Sequence, residues 1–193
     1  MKRSVLAVLV TLTLLCGIFA PLASAIDTTG FAAEVVRLVN IERAAEGKAA
    51  LNFGNKKLND AAMKRAQEYA ANPALGHTRP GNKKFETVFA EFNITWTACG
   101  ENIAEGYTTP AAVVTGWMES EGHRKNIMGG VAENGTPLNF NWIGVAVCEG
   151  SDGKLYWAQL FMTGNPADNV NIFTRIINWF RNLWDSFISI FRF

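Results

Sequence analysis

Residues 142–162 read WIGVAVCEGSDGKLYWAQLFM. Trp142 to Cys148 is β-branched and apolar, Gly150 to Gly153 is rich in turn formers, and Leu155 to Met162 is aromatic and alternating. The stretch therefore predicts a β-hairpin. Gly144 would weaken a strand, which predicts a close backbone contact at that position. Helical and extended segments alternate along the chain without a repeating strand–helix–strand rhythm, so a mixed α/β sandwich is expected rather than a doubly wound sheet.

Working outward toward the N-terminus, Thr109-Pro110 is a cap followed by proline at the first helical position. Val113, Val114 and Trp117 continue that helix, which is expected to end near Gly122 and to leave His123 just beyond it. Between His77 and Gly100, polar turns alternate with Phe85, Val88, Phe89, Phe92 and Trp96, predicting loop, one short helix and an extended entry. Leu58, Ala61, Ala62, Ala66, Tyr69 and Ala70 recur at helical spacing before Asn72-Pro73, and their small side chains allow close packing. An earlier amphipathic helix is expected from Phe31 to Glu46, with Asp27, Thr28 and Thr29 as caps and Gly47 as its stop. Trp117, Trp142 and Trp157 are expected in the core.

Residues 1–25 have the form of a signal peptide: Lys2 and Arg3, an apolar run from Val5 to Ala20, then Ala23-Ser24-Ala25 for cleavage. Gly17 and Pro21 interrupt the run and argue against a membrane span. Without Lys2 and Arg3, the 18 Lys and Arg fall to 16 against 17 Asp and Glu, a net charge near −1 that argues against nucleic acid as a partner. Residues 26–165 are then one secreted domain. Export leaves Cys99 and Cys148 as a pair that an oxidising compartment permits to bridge; two thiols packed as small hydrophobes is the alternative.

Beyond Asn165-Pro166 the composition shifts. Polar residues recur among Phe, Trp, Ile and Leu, which predicts an appended amphipathic helix over residues 166–193. From Val170 to Phe193 the charge is +2, from Arg175, Arg181 and Arg192 against Asp185, leaving about −3 on the preceding part. Trp179 and Trp184 with a basic polar face suit a membrane surface; docking on a protein partner and folding back onto the same domain are the other readings.

His77 and His123 are the two histidines of the chain, each beside a glycine and followed closely by an arginine. Neutral imidazoles bind Zn²⁺ well, and Glu101 or Glu121 could complete a site or orient a ring. Two hydrogen-bonded structural histidines would look the same in sequence, and Glu101 between Gly100 and Asn102 could instead accept backbone N–H bonds and fix a turn.

Five blocks carry a resemblance. They are Asn40-Ile41-Glu42-Arg43 ahead of Gly47 and Leu51; Gly76-His77-Thr78-Arg79; Gly100-Glu101-Asn102-Ile103; the run from Trp117 through Ser120 and His123 to Met128; and Ile143-Gly144-Val145. In this order, from about Phe31 to Met162, the chain resembles the bacterial branch of the CAP superfamily of cysteine-rich secretory, antigen 5 and pathogenesis-related (SCP-type) proteins. The resemblance implies an α+β fold, a three-layer α-β-α sandwich, with a cleft where two histidines and two acidic residues converge and a divalent metal such as zinc is held. His77, Glu101 and His123 match three of these four positions. Ser120 stands where many members carry glutamate, and Glu119 and Glu121 cannot simply substitute because adjacent helix positions point about 100° apart.

The resemblance implies a non-catalytic secreted module binding a lipid or other small ligand. Zinc-dependent hydrolysis, with Glu101 accepting a proton from metal-bound water, is a second reading. It is weakened by the absence of a His-Glu-x-x-His helix and of a Gly-x-Ser-x-Gly elbow. An envelope or coat component assembled through the aromatic helix is a third.

Overall fold

The computed structural model describes residue 28, residues 30–132 and residues 134–164. The expected signal peptide of residues 1–25 and the expected helix of residues 166–193 lie outside the described residues.

The elements in chain order are α1 (Phe31–Ala45), α2 (Lys56–Ala71), a 3-10 turn (Pro73–Leu75), β1 (Thr78–Arg79), β2 (Lys83–Lys84), α3 (Thr87–Glu91), β3 (Ala98–Glu105), α4 (Pro110–Glu119), α5 (Glu121–Met128), β4 (Trp142–Glu149) and β5 (Leu155–Thr163). β4 and β5 form the antiparallel hairpin read from the sequence, paired from Trp142 opposite Met162 to Glu149 opposite Leu155. β3 pairs antiparallel with the other side of β5, giving the order β3-β5-β4.

Side chains alternate across this sheet, so each face has its own core. Ile143, Val145, Val147, Trp157 and Phe161 pack against α1, α4 and α5 through Val35, Val39, Val113, Trp117 and Ile127. Ile103, Ala146, Ala158, Leu160 and Met162 pack on the opposite face against Leu58, Ala61, Ala62 and Ala66 of α2 and Val88 and Phe89 of α3. The result is the three-layer α-β-α sandwich. Trp117 and Trp157 are fully buried, and each satisfies its indole N–H on a backbone carbonyl, of Ile103 at 3.3 Å and Tyr107 at 2.8 Å.

Gly144 explains how closely the α2 layer lies. A Cβ there would stand 2.6 Å from the Leu58 carbonyl oxygen and 2.7 Å from Leu58 Cγ, so only glycine lets the first turn of α2 rest on β4. Asn55 caps that turn by accepting the Leu58 N–H at 3.0 Å, and Thr109 caps α4 in the same way by accepting from Ala112.

Three expectations need correction. The N-cap position of α1 is Gly30, with a left-handed backbone, and Thr28 accepts the Phe31 N–H through its carbonyl; Asp27 and Thr29 lie outside the described residues. The helix after Thr109 does not run to Gly122. Ser120 takes an extended conformation that ends α4 at Glu119, and α5 restarts at Glu121, which places His123 inside the first turn of α5 rather than beyond a helix end. Cys99 and Cys148 are free thiols. They sit on the two strands flanking β5, opposite Met162 and Tyr156 respectively. That offset of six residues along the sheet, about 20 Å at strand spacing, is far beyond disulfide reach.

Candidate functional site

β3 is an edge strand, and its residues alternate between the two layers of helices. Glu101 points to the α2 side and Asn102 to the α5 side, so one strand presents a carboxylate to one layer and an amide to the other. His77, from the loop after α2, contacts this edge through Glu101, and His123, from α5, through Asn102.

Glu101 is the centre of the arrangement and is fully buried at its side chain. Arg65 of α2, equally buried, donates Nε to Oε2 at 2.6 Å and Nη2 to Oε1 at 3.2 Å. The same Oε1 accepts from Nδ1 of His77 at 2.9 Å. This pairing selects the His77 tautomer with hydrogen on Nδ1 and leaves Nε2 unprotonated, its lone pair open to an acceptor or ligand role, on a ring whose side chain is 56% exposed. Glu101 is thus neither a turn-fixing carboxylate nor a free base. Both its oxygens are engaged, and it orients the imidazole.

A second tier holds Arg65. Its Nη1 donates to Glu68 at 2.8 Å and its Nη2 to the Gly76 carbonyl at 3.1 Å, which anchors the residue preceding His77. Glu68 is clamped from its other side by buried Arg79, at 2.8 and 2.9 Å, and Arg79 continues to Thr87 and Glu91. Burial alone would raise the Glu68 pKa, but the hydrogen bonds and charges of Arg79 and Arg65 outweigh it and hold the carboxyl below its usual range.

On the other side of the strand, the Asn102 amide donates to the His123 carbonyl at 3.2 Å and to Gln159 at 3.0 Å. Asn126 of α5 donates to the Glu101 carbonyl at 3.1 Å and to the Asn102 side-chain oxygen at 2.9 Å, fastening α5 to the edge of β3. His123 is half-buried. Burial first, and the nearby charge of His77 second, push its pKa below the usual histidine value, so its ring is neutral near pH 7.

Of the four sequence-derived cleft residues, His77 and Glu101 are hydrogen-bonded to each other, and His123 is tied to the neighbouring residue of β3 through its carbonyl, which accepts from Asn102. Ser120 sits at the α4–α5 junction, where its carbonyl accepts the Arg124 N–H at 2.8 Å and its hydroxyl does not cap α5. Cys99 faces the same layer as Glu101. Burial, with Glu86 and Glu101 nearby, pushes its thiol up to about 12, and burial also raises Cys148, so both stay protonated at neutral pH. Sequence reasoning missed Arg65, Glu68 and Asn126 as parts of the site. One signal was present: Arg65 falls on the small-residue face of α2, between Ala62 and Ala66, where an unpaired charge would be costly.

As a metal site the donor set is partial. His77 Nε2 and the His123 ring remain available, with Glu101 as the carboxylate behind His77. Among the described residues, no three His, Cys, Asp or Glu side chains are grouped to hold an ion. Among the described residues these side chains do not make a closed four-ligand centre.

A model of the cysteine-rich secretory protein family matches residues 36–161. An uncharacterized protein of Bacillus subtilis (strain 168), YkwD, is 33% identical over 136 residues, which are 70% of this chain and 48% of that protein. The chain thus spans about half the length of this relative. Among solved structures, an extracellular protein containing a SCP domain from Bacillus anthracis str. Ames matches with a TM-score of 0.59 and 24% identity, over 70% of this chain and 41% of its own. An outer surface protein from Borrelia burgdorferi matches with a TM-score of 0.61 and 17% identity, over 72% of this chain and 97% of its own. Both share the fold.

Proposed function

The chain belongs to the cysteine-rich secretory protein (CAP) family, and on that footing we propose that it is an extracellular, non-catalytic binding module whose cleft at the β3 edge takes a divalent cation between His77 and His123. The leader-like residues 1–25 support an extracellular place, as do the printed descriptions of the two solved relatives, one extracellular and one of an outer surface. No helix of the described residues is long and apolar enough to cross a membrane.

One observation carries the binding reading: the Glu101 carboxylate is spent on Arg65 and on Nδ1 of His77, which turns Nε2 of His77 outward as a ligand atom. A bound Zn²⁺ would supply Lewis acidity. The chain's own residues do the rest: His77 and His123 hold, Glu101 orients His77, and Arg65 fixes Glu101. The same observation disfavours hydrolysis. A general base needs an oxygen facing the proton it takes, and Glu101 offers none free of a partner. Two imidazoles also fall short of the three protein ligands that catalytic zinc sites keep.

Calorimetric titration of the purified chain with Zn²⁺, beside His77→Ala and His123→Ala, tests this. Saturable binding to one site, weakened at least tenfold by either substitution while far-UV circular dichroism is unchanged, is expected. Binding unaffected by both, or none in the parent chain, overturns the cation site and sends the search to lipid or protein ligands.

A further inference from the structure

Away from the histidines, an open groove of about 300 Å³ follows the entry to β3. All four residues from Trp96 to Cys99 line it. A groove lying over one face of a strand meets every second residue, so contact with four in succession places this one along the strand's edge. One wall is Phe85 and Glu86, ahead of α3; the other is Ala132 and Leu138, from the loop before β4. Gly106 donates to the Leu155 carbonyl across the β3–β5 ladder. With a period of two, the backbones of Ala104, Asn102 and Gly100 therefore face β5, and those of Ile103, Glu101 and Cys99 face away. The outward carbonyls of Ile103 and Glu101 already accept from Trp117 and Asn126, at 3.3 and 3.1 Å. Among the described residues, none meets the outward N–H or carbonyl of Cys99.

We propose that this groove binds an extended peptide, which adds to β3 as a short strand opposite Cys99 and turns a basic side chain toward Glu86. An antiparallel strand makes both of the bonds that Cys99 offers, one accepted and one donated, which a lipid chain cannot do. The peptide residue directly opposite Cys99 shares its face of the sheet. That face is the α2–α3 side, where Glu86 stands near enough for its charge to act on the Cys99 thiol, so a basic side chain there is complementary. Glu86 otherwise faces Lys84 at 3.7 Å, an exposed pair that a ligand exchanges at little cost. The peptide residues on either side alternate to the opposite wall, where Ala98, Ala132 and Leu138 are apolar. Asn126 and Trp117 close the edge from Glu101 onward, which keeps the added strand short.

Titration of the isotope-labelled full chain with acetyl-valyl-lysyl-valyl amide, followed by NMR, tests the proposal. The Cys99 amide is expected to shift downfield saturably, and the Ala132 and Leu138 amides to move with it. The same peptide methylated on its lysyl backbone nitrogen cannot donate to the Cys99 carbonyl and is expected to bind about tenfold more weakly. Glu86→Gln is expected to weaken the lysyl peptide about threefold and to remove its advantage over acetyl-valyl-glutamyl-valyl amide. Glu86 makes no side-chain cap to α3, so this variant keeps the fold. His77→Ala is expected to change none of these results, which separates a failure here from a failure of the cation site. No saturable shift at Cys99, or equal affinity for the methylated peptide, overturns the strand pairing. Equal affinity for the lysyl and glutamyl peptides overturns the part given to Glu86. A Cys99 amide that moves with protein concentration before any peptide is added overturns the proposal too, because the edge is then covered by a second copy.

Discussion

Glu101 concentrates the chemistry of the molecule in one side chain. It is buried without a charge-stranding penalty only because Arg65 meets it with two hydrogen bonds, and Arg65 in turn relies on Glu68 and the Gly76 carbonyl. Removing one partner of a buried pair leaves the other charge unpaired, which costs about 3–5 kcal/mol. Glu101→Ala is therefore expected to lower unfolding stability in urea by about that amount, and Arg65→Met/Glu101→Leu by less, since neither charge is then stranded. Equal losses would show that the pair is not coupled. His77→Ala should cost no more than about 0.5 kcal/mol, because its ring is largely exposed. Glu101→Ala should weaken Zn²⁺ binding by about 10- to 100-fold, as loss of the carboxylate behind a ligating histidine does.

At the scale of elements, the sandwich depends on how closely α2 lies on β4. Gly144→Ala pushes a methyl group into the Leu58 carbonyl and is expected to cost at least about 1–3 kcal/mol, read as a fall in melting temperature of about 2–4 °C per kcal/mol. Gly122→Ala is the matched control. Gly122 lies in the first turn of α5, exposed, with no atom within 4 Å of an added Cβ, so alanine there should be neutral or stabilising by up to about 1 kcal/mol. A melting temperature unchanged in Gly144→Ala would mean that α2 can move away freely. The break at Ser120 matters equally: it turns α5 so that Asn126 and the His123 carbonyl reach the edge of β3.

Across the whole molecule, the ion pairs linking α2, the β1–β2 turn, α3 and β3 make stability depend on acidity. Glu68 is held below its usual range although burial opposes this, and Glu91 is lowered by its hydrogen bond from Arg79. A depressed folded-state value contributes stability that is complete above the unfolded carboxylate value, near 4.3, and is lost as pH falls through the lower folded value. The urea midpoint is expected to hold steady above about pH 5 and decline below it, with a flatter acid limb in Glu68→Gln; parallel limbs would remove Glu68 from the account. The sequence by itself determined the hairpin, the helical faces and the need for a glycine at position 144, because these follow from the period of apolar residues and from backbone sterics within one element. The family blocks pointed to the layer order and to His77, Glu101 and His123. Strand β3 was illegible as a strand, since Glu101 and Asn102 are polar at positions that a strand core would fill with apolar side chains. Only tertiary structure decided that Arg65 neutralises one and Gln159 and Asn126 satisfy the other, and only the strand order placed Cys99 and Cys148 out of reach. Partners for a buried polar group come from distant segments, and no local pattern encodes which segment will arrive.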